Sequence, residues 1–317
     1  MTVQISELEH SKQLKTAQGY RNCLRSFSKF CNTSTLSIKK ISPELILRYQ
    51  QFLLEKNLCM NTVSFYMRTL RAAYNKAVKS GLAEPKDLFS NVYTGIAKTE
   101  KRAIHVDNIR ELKSLELHDR QGLAFSRDLF LLSFYFRGMA FVDLANLKKV
   151  DVQNGVLRYT RSKTKQDLRI RIEPSAKEIL DRYACQKSDR LLPILNPFEP
   201  ATKTYDNALR LYNKHLSHLS KLLHLQQPLS SYVARHSWAT LAKKSGVDLA
   251  IISESLGHNS IITTQIYLDS LDHDRIDDAN SRVISLVDSM ACSVSYKEKE
   301  HLQSRVYRQL IQYINQN

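Results

Sequence analysis

Apolar residues recur along most of this chain at spacings of three and four, the period of an amphipathic helix. Tyr20, Leu24, Phe27 and Phe30 form the first such stripe. Ser42-Pro43-Glu44 reads as an N-cap, a proline at the first helical position and an acidic first turn. The helix it opens carries Leu45, Ile46, Tyr49 and Leu53. A further helix is expected after Asn61-Thr62, running through Val63, Tyr66, Leu70, Ala73 and Ala77 to Gly81. Its other face carries Arg68, Arg71, Lys76 and Lys79. Val106-Asp107 opens another helix, and Leu123 to Tyr135 is so continuously apolar that a buried helix is expected. Helical patterns resume at Pro174 to Cys185 and at Tyr205 to Leu223, with Leu192-Pro193 and Asn196-Pro197 punctuating the loop between them.

In one region the period changes to two. Val156 to Thr160 and Leu168 to Ile172 alternate apolar and polar residues for much of their length, as half-buried strands do. Asn154-Gly155 turns into the first of them. The basic segment Arg161 to Asp167, RSKTKQD, joins the two as a hairpin with a cationic tip. Further on, Trp238, Ala239, Leu241 and Ala242 form a helical pattern that Gly246 stops. Leu249, Ile251, Ile252 and Leu256 form a second short helix, which Gly257 ends. Arg235 then lies near the start of one helix, His258 just beyond the next, and Tyr267 on a third short segment. In the tail, Leu302, Val306, Leu310, Ile311 and Ile314 make an amphipathic helix that packs in cis or docks on a neighbouring protomer.

Composition sharpens this picture through charge. The 317 residues suffice for two domains, and 43% hydrophobic with 25% charged residues is ordinary for a soluble protein. A net charge of +16 is not ordinary and implies a polyanionic partner, most simply nucleic acid. The first 102 residues carry +10 of it. Five scattered cysteines without a C-x-x-C suggest neither a disulfide framework nor a zinc site. Asp269, Asp272, Asp274, Asp277 and Asp278 cluster, but adjacent carboxylates at an exposed helix start are usually solvated, so no metal or cofactor is expected. The polar N-terminus is no signal peptide and no long apolar run occurs, so a cytoplasmic location without a membrane partner is expected.

Arg235 precedes His258 by 23 residues, and Tyr267 follows by 9. A guanidinium, an imidazole and a phenol suit attack on a phosphodiester: a cationic clamp, a donor and a nucleophile. Singly, each is more often structural; together, in the stretch Ser231 to Asp269 with its Leu256-Gly257-His258 run, they resemble the C-terminal signature of the tyrosine recombinases, the phage-integrase family. The resemblance implies that Tyr267 is the nucleophile, Arg235 the second arginine, His258 a donor to phosphate and Lys163 the general acid, with Lys165 its rival. Two departures stand out. Ala140, three residues before Asp143-Leu144, occupies the place of the first arginine; Arg137, one turn earlier if this segment is helical, is the candidate replacement. Tyr232 occupies the position of a histidine, with His236 nearby. Both departures resemble the Bacteroides-type branch of the family.

The expected fold is mainly α with a small antiparallel β-hairpin or sheet: a helical core-binding domain plus a tyrosine-recombinase catalytic domain. The expected boundaries are 1–97 for the helical DNA clamp, 98–105 for a linker, 106–290 for the catalytic domain and 291–317 for the C-terminal helix. By resemblance, Asn61, Tyr66, Arg68 and Arg71 contact the DNA backbone, and Lys98, Lys101 and Arg102 form a strap across it. The function implied is site-specific recombination of double-stranded DNA through a 3′-phosphotyrosyl link. The working form implied is a homo-tetramer on two DNA sites, with room for a monomer in solution and for accessory DNA-bending proteins. A type IB topoisomerase-like strand transferase and a non-catalytic DNA-binding factor are the alternatives.

Overall fold

The computed structural model describes residues 1–33, 35–97, 103–184, 188–195, 201–268, 280–281 and 283–285. Side chains at 201–203, 266 and 267 lie outside the described set, as do Lys98, Lys101, Arg102, the acidic cluster and the tail 291–317. The chain forms two compact units, Met1–Glu100 and Lys101–Asn317.

The N-terminal unit contains α1 (Thr2–His10), α2 (Leu14–Cys31), α3 (Pro43–Glu55) and α4 (Met60–Lys79). Its core joins Cys23 and Phe27 of α2, Ile46, Tyr49 and Leu53 of α3, and Val63, Met67, Leu70 and Tyr74 of α4. The expected cap is present: the Ser42 side chain accepts from the Leu45 N–H at 3.2 Å. The Tyr49 hydroxyl, carried inward by its ring, donates to Ser26 Oγ at 2.8 Å. Two features differ from the sequence expectation. Helix α1 has no apolar stripe, burying only Gln4 and Ile5, and Gln4 Nε2 docks it on the Ala73 carbonyl at 3.1 Å. Helix α4 starts at Met60, which puts Asn61 inside its first turn.

The C-terminal unit begins with α5 (Val106–Ser114), α6 (Gln121–Tyr135) and α7 (Phe141–Asn146). It continues with β1 (Val152–Gln153), β2 (Val156–Thr160), β3 (Asp167–Arg171), α8 (Pro174–Arg182) and α9 (Ala201–Leu222). Helices α10 (Val233–Lys244), α11 (Leu249–Ser255) and α12 (Ile261–Tyr267) follow. Helix α6 buries apolar residues on several faces because it is the central helix of the unit, with α5, α8, α9 and α10 packed on it. Leu129, Phe130, Leu131 and Leu132 are accordingly all buried.

The strands form an antiparallel sheet in the order β1-β2-β3. Asn154 and Gly155 both adopt the left-handed region, φ 52° and 71°, as a tight turn between β1 and β2 needs. Leu157 pairs with Ile170 and both are buried. Because Thr160 pairs with Asp167, β3 starts one residue before the expected Leu168. The side-chain parity of β2 places Leu157, Tyr159 and the following Arg161 on one face. Helix α8 ends at Arg182, short of the expected Cys185, which lies outside the described residues.

A buried carboxylate ties α6 to α8. Asp128 accepts from Arg127 Nε at 2.8 Å, from Arg182 Nη1 at 2.7 Å and from the Tyr183 hydroxyl at 2.8 Å. Removing it strands partly buried cations, so Asp128→Ala should lower the unfolding free energy by about 3 kcal/mol in a denaturant titration. An unchanged midpoint would show that the network contributes nothing net.

Candidate active site

Arg235 lies on the first turns of α10 and is 3% exposed. The turn between α6 and α7 presses on it. An added Cβ at Gly138 would stand 2.6 Å from the Arg235 Cα, and Gly138 has φ +71°, so both space and backbone demand glycine there. That closeness lets the Gly138 carbonyl accept from Arg235 Nη1 at 3.0 Å. Arg235 Nη2 donates to the Leu256 carbonyl and lies 3.1 Å from His258 Nε2.

Helix α11 ends where these groups meet. Leu256 anchors the end in a small core with Ala239 and Ile252, and Gly257 turns the chain with φ +61°. The carbonyls at a helix C-terminus lack helical partners and carry partial negative charge, so they attract cations. Arg161 Nη1 donates to the Gly257 carbonyl, and Thr164 Oγ1 donates to the same oxygen at 3.0 Å. Gln166 Nε2 reaches the His258 carbonyl at 3.4 Å. On the other side, buried Asp143 accepts from the Ser162 N–H at 2.9 Å. The hairpin tip carrying Lys163 is thus tethered to α7 and to the end of α11.

Electrostatics follow from this crowding. Burial, then Arg235, Arg161 and Lys163, push the His258 pKa down to about 4, so the imidazole is neutral at pH 7. Its Nδ1 lies 2.7 Å from Thr264 Oγ1 on α12. Burial also raises the Tyr159 pKa, as does Asp143, against the opposing pull of Arg235, Arg161 and Arg137. Lys163 is exposed at the hairpin tip and its charge is the smallest contribution to the lowered His258 pKa, whereas Lys165 sits in a left-handed turn with φ 60° and its N–H on the Arg161 carbonyl.

Arg235, His258 and the tip bearing Lys163 come together as expected. Tyr267 closes α12 in the backbone, and its side chain lies outside the described residues. Lys243 Nζ donates to the Leu268 carbonyl, which holds the next residue to α10. The condition that one helix joins Arg137 to Ala140 is not met: α6 ends at Tyr135 with Phe136 as its C-cap, Arg137 has φ 57°, and Ala140 is the N-cap of α7. Arg137 instead occupies a left-handed position next to Gly138, which packs against Arg235, and its charge helps to oppose the upward shift of the Tyr159 pKa. Tyr232 precedes α10, is 45% exposed, and sets its ring edge-on to His236 at 4.8 Å. Sequence reasoning missed Arg161, which is 5% exposed and whose Nε has no partner among the described residues. The signal was its parity with Leu157 and Tyr159.

In the N-terminal unit, Arg68 and Arg71 share a concavity of about 600 Å³ with Tyr20, Asn61, Phe65 and Ile96. Asn61 has a structural task there: its Nδ2 donates to the Ala97 carbonyl at 2.9 Å and its Oδ1 accepts from the Ala97 N–H at 2.8 Å. The half-buried Tyr66 ring packs against the core, near Tyr49 and Phe65. Lys98 lies outside the described residues.

The model of the phage integrase SAM-like domain matches residues 1–91, and that of the phage integrase family matches residues 107–274. The chain is 25% identical over 271 residues to tyrosine recombinase XerC of Thermodesulfovibrio yellowstonii, covering 82% of this chain and 87% of that one. It is 26% identical to tyrosine recombinase XerD of Halalkalibacterium halodurans, covering 82% and 89%. Among solved structures, the Tn1549 transposon integrase in complex with transposon right-end DNA is similar in fold. The TM-score is 0.67 at 14% identity, over 88% of this chain and 97% of that one. A lambda integrase dimer bound to a core site gives a TM-score of 0.63 at 16% identity, over 82% and 91%.

Two expected outcomes follow from the packing and the charge. Gly138→Ala meets both a strained φ and the Arg235 backbone, so it should lose more than the ~1–2 kcal/mol of a left-handed alanine alone. Gly155→Ala, at φ +71° with open space around it, should lose only that amount, and thermal unfolding of the two variants compares them. The folded-state pKa of His258 lies below its unfolded value, so the folded state binds fewer protons and stability falls as pH drops from about 6.5 to about 4. Melting temperatures of His258→Gln should fall less steeply over that window than those of the wild type; parallel slopes would contradict the buried neutral imidazole.

Proposed function

The chain belongs to the phage integrase family, the tyrosine recombinases, and we propose that this site-specific DNA recombinase works through a 3′-phosphotyrosyl link on Tyr267. The observation that carries this reading is the convergence of Arg235, Arg161 and Lys163 on the turn that bears His258. Two of these cations are buried, and they share the site with one buried carboxylate, Asp143, which holds a backbone N–H. Such a concentration of desolvated positive charge complements a phosphodiester and the extra charge of its pentavalent transition state.

In the proposed reaction the Tyr267 oxygen forms a bond to phosphorus and the bond from phosphorus to the 5′ oxygen breaks. A phenol has a pKa near ~10, so the attack depends on neutralising the non-bridging oxygens. The Arg235 fork suits two of them. Arg137, reaching from its left-handed turn, takes the part of the first arginine that Ala140 cannot play. Lys163 protonates the leaving 5′ oxygen, a task for which its tethered hairpin tip positions it. The 5′ hydroxyl of a partner strand then reverses the step. The phosphotyrosyl link conserves the energy of the broken bond, so neither a nucleotide cofactor nor a metal enters the balance.

The DNA partner follows from the same reading. Lambda integrase is known as a dimer on a core site and as a tetramer on a Holliday junction. By analogy, four copies of this chain would act on two duplex sites. The N-terminal unit would place Arg68 and Arg71 against the phosphate backbone. Accessory DNA-bending proteins fit the same scheme.

A trap with nicked duplexes tiled across the DNA flanking the protein's own gene tests this reading. The wild type should form a denaturation-resistant protein–DNA complex, and Tyr267→Phe should form none. Lys163→Ala and Arg137→Ala should each slow trapping by about a hundredfold or more, while Lys165→Ala stays near the wild-type rate. A complex that persists in Tyr267→Phe would overturn the assignment of the nucleophile.

A further inference from the structure

The Asn61 side chain makes two bonds to one residue far along the chain. Its Nδ2 donates to the Ala97 carbonyl at 2.9 Å, and its Oδ1 accepts from the Ala97 N–H at 2.8 Å. A carboxamide carries a donor and an acceptor on one planar group. It can therefore pair with both backbone groups of a single residue, as an opposing strand residue does. Ser64, one turn along α4 and 2% exposed, donates its hydroxyl to the Gly95 carbonyl at 2.6 Å. From α3, Gln50 Oε1 accepts from the Tyr93 N–H at 2.6 Å. Residues 93–97 form neither helix nor strand, so these side chains supply partners that regular structure does not. Ile96 is 68% exposed, and its side chain does not anchor the segment.

We propose that Asn61, with Ser64, is a positioning residue that latches residues 95–97 along α4 and so builds one wall of the DNA-facing concavity. Asn61 then serves DNA binding through Ala97 and not through a phosphate of its own. The second half rests on the reading above that Arg68 and Arg71 face the phosphate backbone; the latch itself does not. Two observations join the latch to those arginines. The stripe that Asn61 and Ser64 begin continues at spacings of four and three to Arg68 and Arg71 on the same face of α4. Gly95 and Ile96 line the same concavity of about 600 Å³ as the two arginines. The Asn61 acceptor and one of its two donor hydrogens are engaged with Ala97 before DNA arrives. A segment already ordered in the free protein adds no ordering cost when the duplex binds.

Hydrogen exchange of the full-length free protein, resolved at single amides by NMR, reads the latch without any DNA. In the wild type the Ala97 N–H should exchange about tenfold or more slowly than a free-chain amide, and in Asn61→Ala it should approach the free-chain rate. A wild-type Ala97 amide at the free-chain rate would overturn the latch, whether or not any variant folds. Binding of a fluorescent duplex, followed by anisotropy across a salt series, then reads the role. Asn61→Ala should weaken binding by about threefold to tenfold with the salt slope unchanged, whereas Arg68→Ala should lower that slope by about one. Ala97→Pro removes the N–H that Asn61 accepts and should weaken binding likewise. Adding Asn61→Ala to it should then cost nothing further. Additive losses would mean that Asn61 touches DNA itself, and wild-type affinity in Asn61→Ala would mean that the latch does not serve DNA; either defeats the proposed role. An unaltered slope in Arg68→Ala would count against the phosphate reading of the stripe and leave the exchange result standing.

Discussion

Two buried guanidinium groups converge on the carbonyls that end α11, and the rest of the site is arranged around that meeting. A buried cation is costly unless strong acceptors satisfy it. The Leu256 and Gly257 carbonyls are such acceptors because a helix C-terminus leaves them without partners and slightly negative. Two separate segments are thereby fixed against one turn, α10 through Arg235 and the hairpin through Arg161 and Thr164, and Arg235 in addition donates to the Gly138 carbonyl of the turn after α6. In the free protein these carbonyls hold donors that the proposed chemistry turns toward phosphate oxygens. The site is in this sense already built around negative charge before any DNA arrives.

Stability and chemistry are linked at the same point. Burial that makes Arg161 and Arg235 rigid also drives the His258 proton off, because a third cation in a desolvated cluster is unfavourable. The neutral imidazole then bonds to Arg235 rather than repelling it. Asp143 offsets part of the positive charge while its carboxylate holds the Ser162 N–H, so one side chain both balances the cluster and aims the tip that carries Lys163. Helix α6 supplies the fixed reference, since its buried apolar residues lie where α8, α9 and α10 pack on it.

Much of this was legible in the sequence, where a local signal was strong. Ser42-Pro43-Glu44 marks its helix start chemically, and the structure shows the cap in place. The two glycines that end α10 and α11 placed Arg235 and His258 at facing helix termini. Other features depend on tertiary packing that no local pattern encodes. Helix α1 is docked by Gln4 rather than by an apolar stripe, so its residues carry no periodic signal. Arg137 belongs to a left-handed turn that is stable because Gly138 fits against Arg235, a contact across 97 positions of chain. Arg161 shows the opposite case: strand parity pointed it inward, but an arginine beside a basic loop reads as a surface residue until its burial is seen.

The central claim, that this cation cluster serves a covalent step at Tyr267, is tested most directly by mapping the residue that carries DNA after trapping. Tryptic cleavage after Lys244 and Arg275 releases a peptide in which Tyr267 is the sole tyrosine. Mass spectrometry of the digested covalent complex should find the nucleotide adduct on that peptide, at Tyr267. An adduct on any other residue would contradict the account.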